Sequence, residues 1–150
     1  MPVQLSLAIQ ELLKRPVYAS LVTLLADGSP HQTQVWIDTD GTHVLVNTVE
    51  GYQTLLNMRR DPRVSVLIRP EQDPARWVSI CGEVVEITTD GARDHVETLS
   101  WRYSKKPYAM HAYGQRVLVK IAPTRIYDSL EARGAVNSRA RARTVAGRTT

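Results

Sequence analysis

The sequence contains few of the residues from which self-contained catalytic or metal sites are built. Its single cysteine, Cys81, has no disulfide partner within the chain, and the apolar strand-like segment around it predicts a buried, reduced thiol. The four histidines lack metal-ligand spacing, and no serine lies in a nucleophile elbow. The sequence therefore predicts no metal site and no catalytic side chain, and each histidine is interpreted as a surface or strand-packing residue.

Long apolar stretches are missing as well. No apolar run reaches the roughly 18 residues that a membrane-spanning helix needs. The N-terminal segment carries Gln10 and Glu11 within its apolar pattern and has no small-residue cleavage site, which argues against a signal peptide. We expect a cytoplasmic protein without a membrane partner.

Acidic residues are absent from residues 133–150, which hold five arginines. Without those five, the chain carries 14 basic and 15 acidic residues, so its net charge of +4 belongs to this end of the chain. We therefore expect no nucleic-acid groove on the body. The tail has no periodic apolar face and is predicted to be a disordered end, with a loose polyanion contact as the alternative. Residues 1–132 have the size of a single domain.

In the first third of the chain, the spacing of apolar residues changes from one typical of a helix to one typical of strands. Apolar residues at helical spacing predict a helix over about residues 4–14, which Pro16 ends. Three extended segments follow, joined by Asp-Gly turns. These segments, predicted to form an antiparallel meander, are residues 17–25, 31–38 and 43–48.

The rest of the chain alternates short helices with strands. A helix over residues 51–60 stops before Pro62, because proline opposes its continuation. Two strands, another helix and a final strand follow, and Gly82 within the second of these strands indicates a bulge. About six antiparallel strands on so short a chain favour closure into a barrel, so we predict a mainly β fold with small helices.

The order of these segments resembles the pyridoxamine 5′-phosphate oxidase-like split β-barrel superfamily. The resemblance extends from about residue 16 to residue 127 and rests most on "ADGSPH" and "NMRRDPRVS". Within the superfamily the chain is most similar to the deazaflavin (coenzyme F-420) dependent reductases. The resemblance implies a homodimer with an FMN-binding-like split barrel, a cofactor at each of two interface sites, and hydride transfer to an unsaturated small molecule.

The resemblance also implies which residues hold the cofactor. They lie on the second and third strands and on the helix that begins near residue 51, where backbone N–H groups and the helix dipole favour a phosphate. Trp77 is added as an aromatic surface on which the cofactor ring could stack. The candidate residues are Thr33, Gln34, Val35, Trp36, Asn47, Thr48, Gly51, Tyr52, Gln53, Thr54, Asn57, Arg60 and Trp77.

One expected charge is missing from this helix. The family usually has a lysine where this chain has Thr54, and often a basic residue where it has Tyr52. Arg59, Lys105 and Lys106 are alternative sources of the charge. Residues 104–114 are interpreted either as a lid over the partner's site or as a solvated loop.

The sequence leaves three functions open and does not identify a substrate. The first is a deazaflavin-dependent reductase, the second an FMN-dependent oxidoreductase of the same fold, and the third a non-enzymatic dimer that binds a flavin, haem or tetrapyrrole. Homodimerisation is also favoured by apolar side chains near a strand edge, whereas Trp101 is expected in the core. The edge residues are Val35, Trp36, Ile37 and Trp77.

Overall fold

The computed structural model describes residues 2–109 and 114–131. Its elements are, in chain order, α1 (Leu7–Leu13), β1 (Tyr18–Leu24), β2 (Pro30–Val35), β3 (Ile37–Thr39), β4 (Val44–Val49), α2 (Gln53–Arg60), β5 (Arg63–Arg69), β6 (Val78–Thr88), α3 (Ala92–Ser104) and β7 (Arg116–Asp128). The predicted disordered tail, residues 133–150, lies outside the described residues and stays a prediction.

The strands form one antiparallel sheet that curls into a split barrel, which confirms the predicted fold class. Their order across the sheet is β2-β1-β5-β6-β7-β4-β3. The sheet has seven strands rather than about six, because the strand predicted over residues 31–38 is divided at Trp36. Its first half pairs with β1 and its second half with β4, at opposite edges. Since one residue joins these edge strands, the sheet has to curl until its edges meet.

Gly82 marks the bulge that the sequence predicts. The pairing of β6 with β7 shifts register between Cys81 and Gly82. A Cβ atom at residue 82 would lie 2.6 Å from Ile121 Cγ2 and 2.7 Å from the carbonyl oxygen of Ala122. Only glycine allows the two strands to approach this closely.

The core lies inside the curled sheet and beneath α1 and α2. It is formed by apolar side chains from alternate strand positions and from one face of each helix. Helix α1 starts later than predicted, because the Ser6 hydroxyl accepts a hydrogen bond from the N–H of Ile9 and so caps the helix at that residue. Leu13, from α1, and Leu55, from α2, are both fully buried.

Three sequence-based predictions of burial are wrong. Trp101 is 51% exposed, because it lies on the outer face of α3, where its indole N–H donates to Glu97. Cys81 is only partly buried, because the inward positions of β6 around it belong to Ile80 and Gly82. Ile37 is fully buried and adds no apolar surface for a second copy.

Candidate functional site

A pocket of about 510 Å³ lies where β2, β4, α2, α3 and β7 meet. This volume falls within the range of small-molecule sites, about 300 to 1,000 Å³. Apolar side chains, hydroxyls and amides line it together, with one charged group among the lining residues that the structure describes. These residues are Thr33, Gln34, Val35, Trp36, Val46, Asn47, Thr48, Tyr52, Thr54, Leu99, Tyr108 and Arg116.

The pocket brings together most of the predicted cofactor residues, although they come from three separate segments. Their role in cofactor binding stays a prediction. Those that line the pocket are Thr33, Gln34, Val35, Trp36, Asn47, Thr48, Tyr52 and Thr54. The predicted residues outside its lining are Gly51, Gln53, Asn57, Arg60 and Trp77.

Trp36 supplies an aromatic wall whose orientation is fixed. Its ring stacks on Tyr103 with centroids 5.3 Å apart and planes inclined by 12°. The Tyr103 hydroxyl in turn accepts a hydrogen bond of 3.2 Å from the N–H of Ile37. Burial raises the pKa of Tyr103, which keeps this hydroxyl protonated. The break between β2 and β3 therefore both closes the barrel and sets this wall of the pocket.

Helix α2 presents its first turn to the pocket. Gly51, in the turn before the helix, has φ of +90°, a conformation that favours glycine. The helix begins after Tyr52, and no side chain caps its N-terminus. Thr54, 8% exposed, adds a hydroxyl at the pocket wall.

Asn57 and Arg60 attach α2 to β1. Asn57 is completely buried, and its side-chain oxygen accepts hydrogen bonds from Gln53 at 2.7 Å and Arg60 at 3.0 Å. Its amide nitrogen donates to the Thr23 hydroxyl at 3.0 Å. Arg60 also donates to the carbonyl oxygen of Leu24. These contacts fix the position of α2 without placing Asn57 or Arg60 on the pocket wall.

The candidate replacement cations that the sequence suggests lie away from the pocket wall. Arg59 pairs with Glu50 at 2.5 Å. Lys105 and Lys106 are exposed directly after α3 and do not line the pocket. His111 and Tyr113, in the same loop, lie outside the described residues. Tyr108, from the described part of this loop, lines the pocket of its own chain.

Arg116, which sequence reasoning missed, carries the pocket's charge. Its Nε donates to the side-chain oxygen of Asn47 at 2.8 Å, and its Nη1 donates to the Tyr108 hydroxyl at 3.0 Å. Arg116 lies opposite Val49 because β7 pairs with β4. The available signal was an arginine at the first residue of the final strand, but the pairing that brings it beside α2 is long-range.

A second charged cluster lies behind the pocket around Asp38, which is 4% exposed. Its carboxylate contacts Lys14 at 3.0 Å, Arg102 at 2.9 Å and His95 at 3.0 Å. Burial by itself would raise the pKa of Asp38, but hydrogen bonds from His95, the Thr39 backbone, Lys14 and Arg102 hold it well below its usual range. Asp38 is therefore ionised at neutral pH.

Asn47 and His95 join this cluster to the pocket. The Nδ1 atom of His95 lies 3.1 Å from the Asn47 amide nitrogen, which also donates to the carbonyl oxygen of Ala92 at 2.8 Å. The polar contacts therefore run without a gap from Asp38 through His95 and Asn47 to Arg116.

The divided second strand, the curled antiparallel sheet and the pocket beside the first turn of α2 together define a split β-barrel protein. Residues 5–130 match the sequence profile of the pyridoxamine 5′-phosphate oxidase family. The chain belongs to this family.

Solved structures agree with this assignment. An F-420 reductase is 27% identical over 79% of this chain and 94% of its own, with a TM-score of 0.69. A conserved hypothetical protein from Mycobacterium tuberculosis is 28% identical over 85% of this chain and 87% of its own, with a TM-score of 0.66. General Stress Protein 26 from Bacillus anthracis, at 21% identity, 79% and 88% coverage and a TM-score of 0.60, shares the fold.

No curated protein matches the sequence. Within the described residues, none of the helices has the length and apolar character needed to cross a membrane.

Proposed function

We propose that the protein is an oxidoreductase that binds the deazaflavin coenzyme F-420 in this pocket and passes hydride to an unsaturated small molecule. The observation that carries the proposal is the convergence of the end of β2, the end of β4 and the start of α2 on one pocket. The similarity to an F-420 reductase favours deazaflavin over FMN, which remains the second candidate cofactor.

The composition of the pocket fits a flat ring system joined to an anionic tail. Val35, Trp36 and Leu99 provide apolar and aromatic surface, while Thr33 and Thr48 provide hydroxyl groups and Arg116 provides a positive charge. Small-molecule sites combine these two kinds of surface, because apolar walls supply burial and a few polar groups fix orientation.

When bound, the cofactor supplies the hydride chemistry, and the chain's residues bind and orient the reactants. Trp36, held by Tyr103, limits the positions that a ring can take beside it. Thr33 and Thr48 offer hydroxyl groups along the pocket wall.

A homodimer is part of this proposal. The outer face of the sheet exposes Tyr18, Leu67 and Tyr127 at 45%, 44% and 49%. Leu67 pairs with Ser79 and Ser79 with Tyr127, so these side chains share one row across β5, β6 and β7. Small residues between large apolar ones make a surface that a second copy could cover closely. Sedimentation should give a dimer at micromolar concentration, and a monomer would contradict this part of the proposal.

Cofactor binding is tested by titrating the protein with F-420 and with FMN while recording tryptophan fluorescence. Because Trp36 lines the pocket and Trp77 does not, the quenching should largely disappear in Trp36→Phe and persist in Trp77→Phe. No saturable binding of either cofactor by the wild type would reject the proposal.

Activity is tested by following reoxidation of the reduced cofactor with a panel of conjugated enones and imines. Turnover with reduced F-420 that exceeds the uncatalysed rate supports the reductase. Tight binding without turnover on any acceptor would instead favour a non-enzymatic binding dimer, and turnover with reduced FMN alone would favour the flavin-dependent alternative.

A further inference from the structure

Arg116 lines the pocket between β2, β4, α2, α3 and β7 and has no anionic partner among the described residues. Its two hydrogen-bond acceptors, Asn47 and Tyr108, are neutral. None of the eight ion pairs within residues 2–109 and 114–131 includes it. Burial lowers the pKa of its guanidinium, but an arginine side chain stays protonated in proteins. A partly buried positive charge without a counter-ion favours the binding of an anion.

The position of Arg116 shows where that anion would sit. Arg116 starts β7 opposite Val49, the last residue of β4, and the N–H of Glu50 donates to the carbonyl oxygen of Gln115. The chain then turns directly into α2. Arg116, Tyr52 and Thr54 line the same pocket, so the guanidinium and the first turn of α2 can contact one ligand.

We propose that Arg116 binds the phosphate group of the cofactor and supplies the positive charge that Thr54 does not. The proposal rests on the proposed function for the cofactor, but the anion site can be tested separately. The ligand chemistry is a phosphate monoester, as in FMN, or a phosphodiester, as in F-420. Among the cations of the same chain Arg116 is the best placed, because Glu50 neutralises Arg59 and because Lys105 and Lys106 lie off the wall of their own chain's pocket.

The Asp38 cluster positions Arg116 through Asn47. The guanidinium can only donate, so the Asn47 oxygen has to face it. The Asn47 amide nitrogen then faces His95 Nδ1, which acts as the acceptor, and His95 Nε2 carries the proton toward Asp38. Each of these groups is held in one orientation, which fixes the guanidinium without neutralising it.

The test compares each phosphorylated cofactor with its form lacking the phosphate. FMN is compared with riboflavin, and F-420 with its dephosphorylated deazaflavin core, using wild type, Arg116→Gln and Arg116→Lys. The wild type should prefer the phosphorylated form by about tenfold or more, the value of one charge-assisted hydrogen bond. Arg116→Gln should lose this preference, which is the ratio of the two affinities measured for the same variant, and Arg116→Lys should keep part of it.

Two further variants make the test specific. Arg59→Gln removes a cation from α2 that is already paired with Glu50, so it should alter the preference by less than about twofold. Arg116→Gln combined with Thr54→Lys moves the charge from β7 to α2, and it should restore most of the preference. A melting curve for each variant shows whether it is folded before binding is measured.

The outcomes separate this inference from the proposed function. If FMN or F-420 binds tightly and Arg116→Gln keeps the full phosphate preference, the role of Arg116 is wrong while the cofactor site stands. If the wild type binds none of the four compounds, the proposed function fails. The anion site is then tested separately with inorganic pyrophosphate. Protection of the wild type against thermal unfolding by pyrophosphate, absent in Arg116→Gln, would support the site, and equal behaviour of the two proteins would overturn it.

Discussion

Asp38 and Arg116 are both ionised and both held by hydrogen bonds, but their surroundings are opposite. Asp38 is 4% exposed, and Lys14, Arg102 and His95 surround its carboxylate. Arg116 lines an open pocket and contacts only neutral acceptors among the described residues. A charge whose partners are all present stabilises the fold, whereas a charge left without a counter-ion in a pocket is available to a ligand. The presence or absence of a counter-ion therefore distinguishes the structural role of Asp38 from the binding role of Arg116, although both residues belong to polar networks.

The largest effect that this comparison predicts is on stability. Asp38→Asn should lower the free energy of unfolding by about 3 kcal/mol, because Arg102 and His95 lose their charged acceptor in a site closed to water. Chemical denaturation measures the change. The matched control is Asp40→Asn, whose carboxylate lies in an exposed turn and pairs with His43, and it should cost less than about 1 kcal/mol. Equal losses in the two variants would mean that the Asp38 cluster is not the more important one.

Acid should remove the same stabilisation gradually. The pKa of Asp38 is lower in the folded than in the unfolded state, so its contribution is complete above about pH 4, the unfolded value, and is lost as the pH falls below it. The wild type should lose up to about 1.4 kcal/mol per pH unit from this one group. In Asp38→Asn this part of the dependence of the unfolding free energy on pH should be absent. If the free energy of unfolding fell equally steeply with pH in the two proteins below pH 4, Asp38 would not be the source of the acid sensitivity.

Other features of the fold differ in how far the sequence could predict them. The helix that ends before Pro62, which starts at Gln53 rather than at residue 51, and the bulge at Gly82 follow from local patterns of glycine, proline and apolar spacing. The break of the second strand at Trp36 does not, because residues 31–38 contain no glycine or proline to signal it and the division arises only when the barrel closes. Closure is a property of the whole sheet.

The two charged residues escaped prediction for the same reason. Asp38 meets residues from α1 and α3, and Arg116 meets residues from β4 and from the segment after α3. Each contact joins parts of the chain that are far apart in sequence. The resemblance to the family implied that a cation was missing at Thr54, but a spacing rule could not show that strand pairing places another cation nearby.

A smaller effect is expected from placing a second charge in the pocket. Thr54→Lys should tighten FMN or F-420 binding by roughly tenfold when Arg116 is replaced by glutamine. The gain should be smaller in the wild-type background, because Arg116 already contacts the phosphate and two neighbouring cations repel each other. A double-mutant cycle measured by fluorescence titration gives both values. The same gain in both backgrounds would show that the two positions act independently.

The smallest predicted effect is that of salt, and it distinguishes the open site from the closed one. Raising sodium chloride from about 0.05 M to about 0.5 M shortens the screening length from roughly 14 Å to roughly 4 Å, which weakens charge contacts at accessible sites much more than buried ones. FMN binding should therefore weaken by about threefold. Riboflavin binding should stay nearly constant, and so should the part of the pH dependence of the unfolding free energy that comes from Asp38. Arg116→Gln should remove the salt dependence of FMN binding. If riboflavin binding weakened as much as FMN binding, the salt would be acting on the ring site, and the contrast between a closed Asp38 and an open Arg116 would lose its basis.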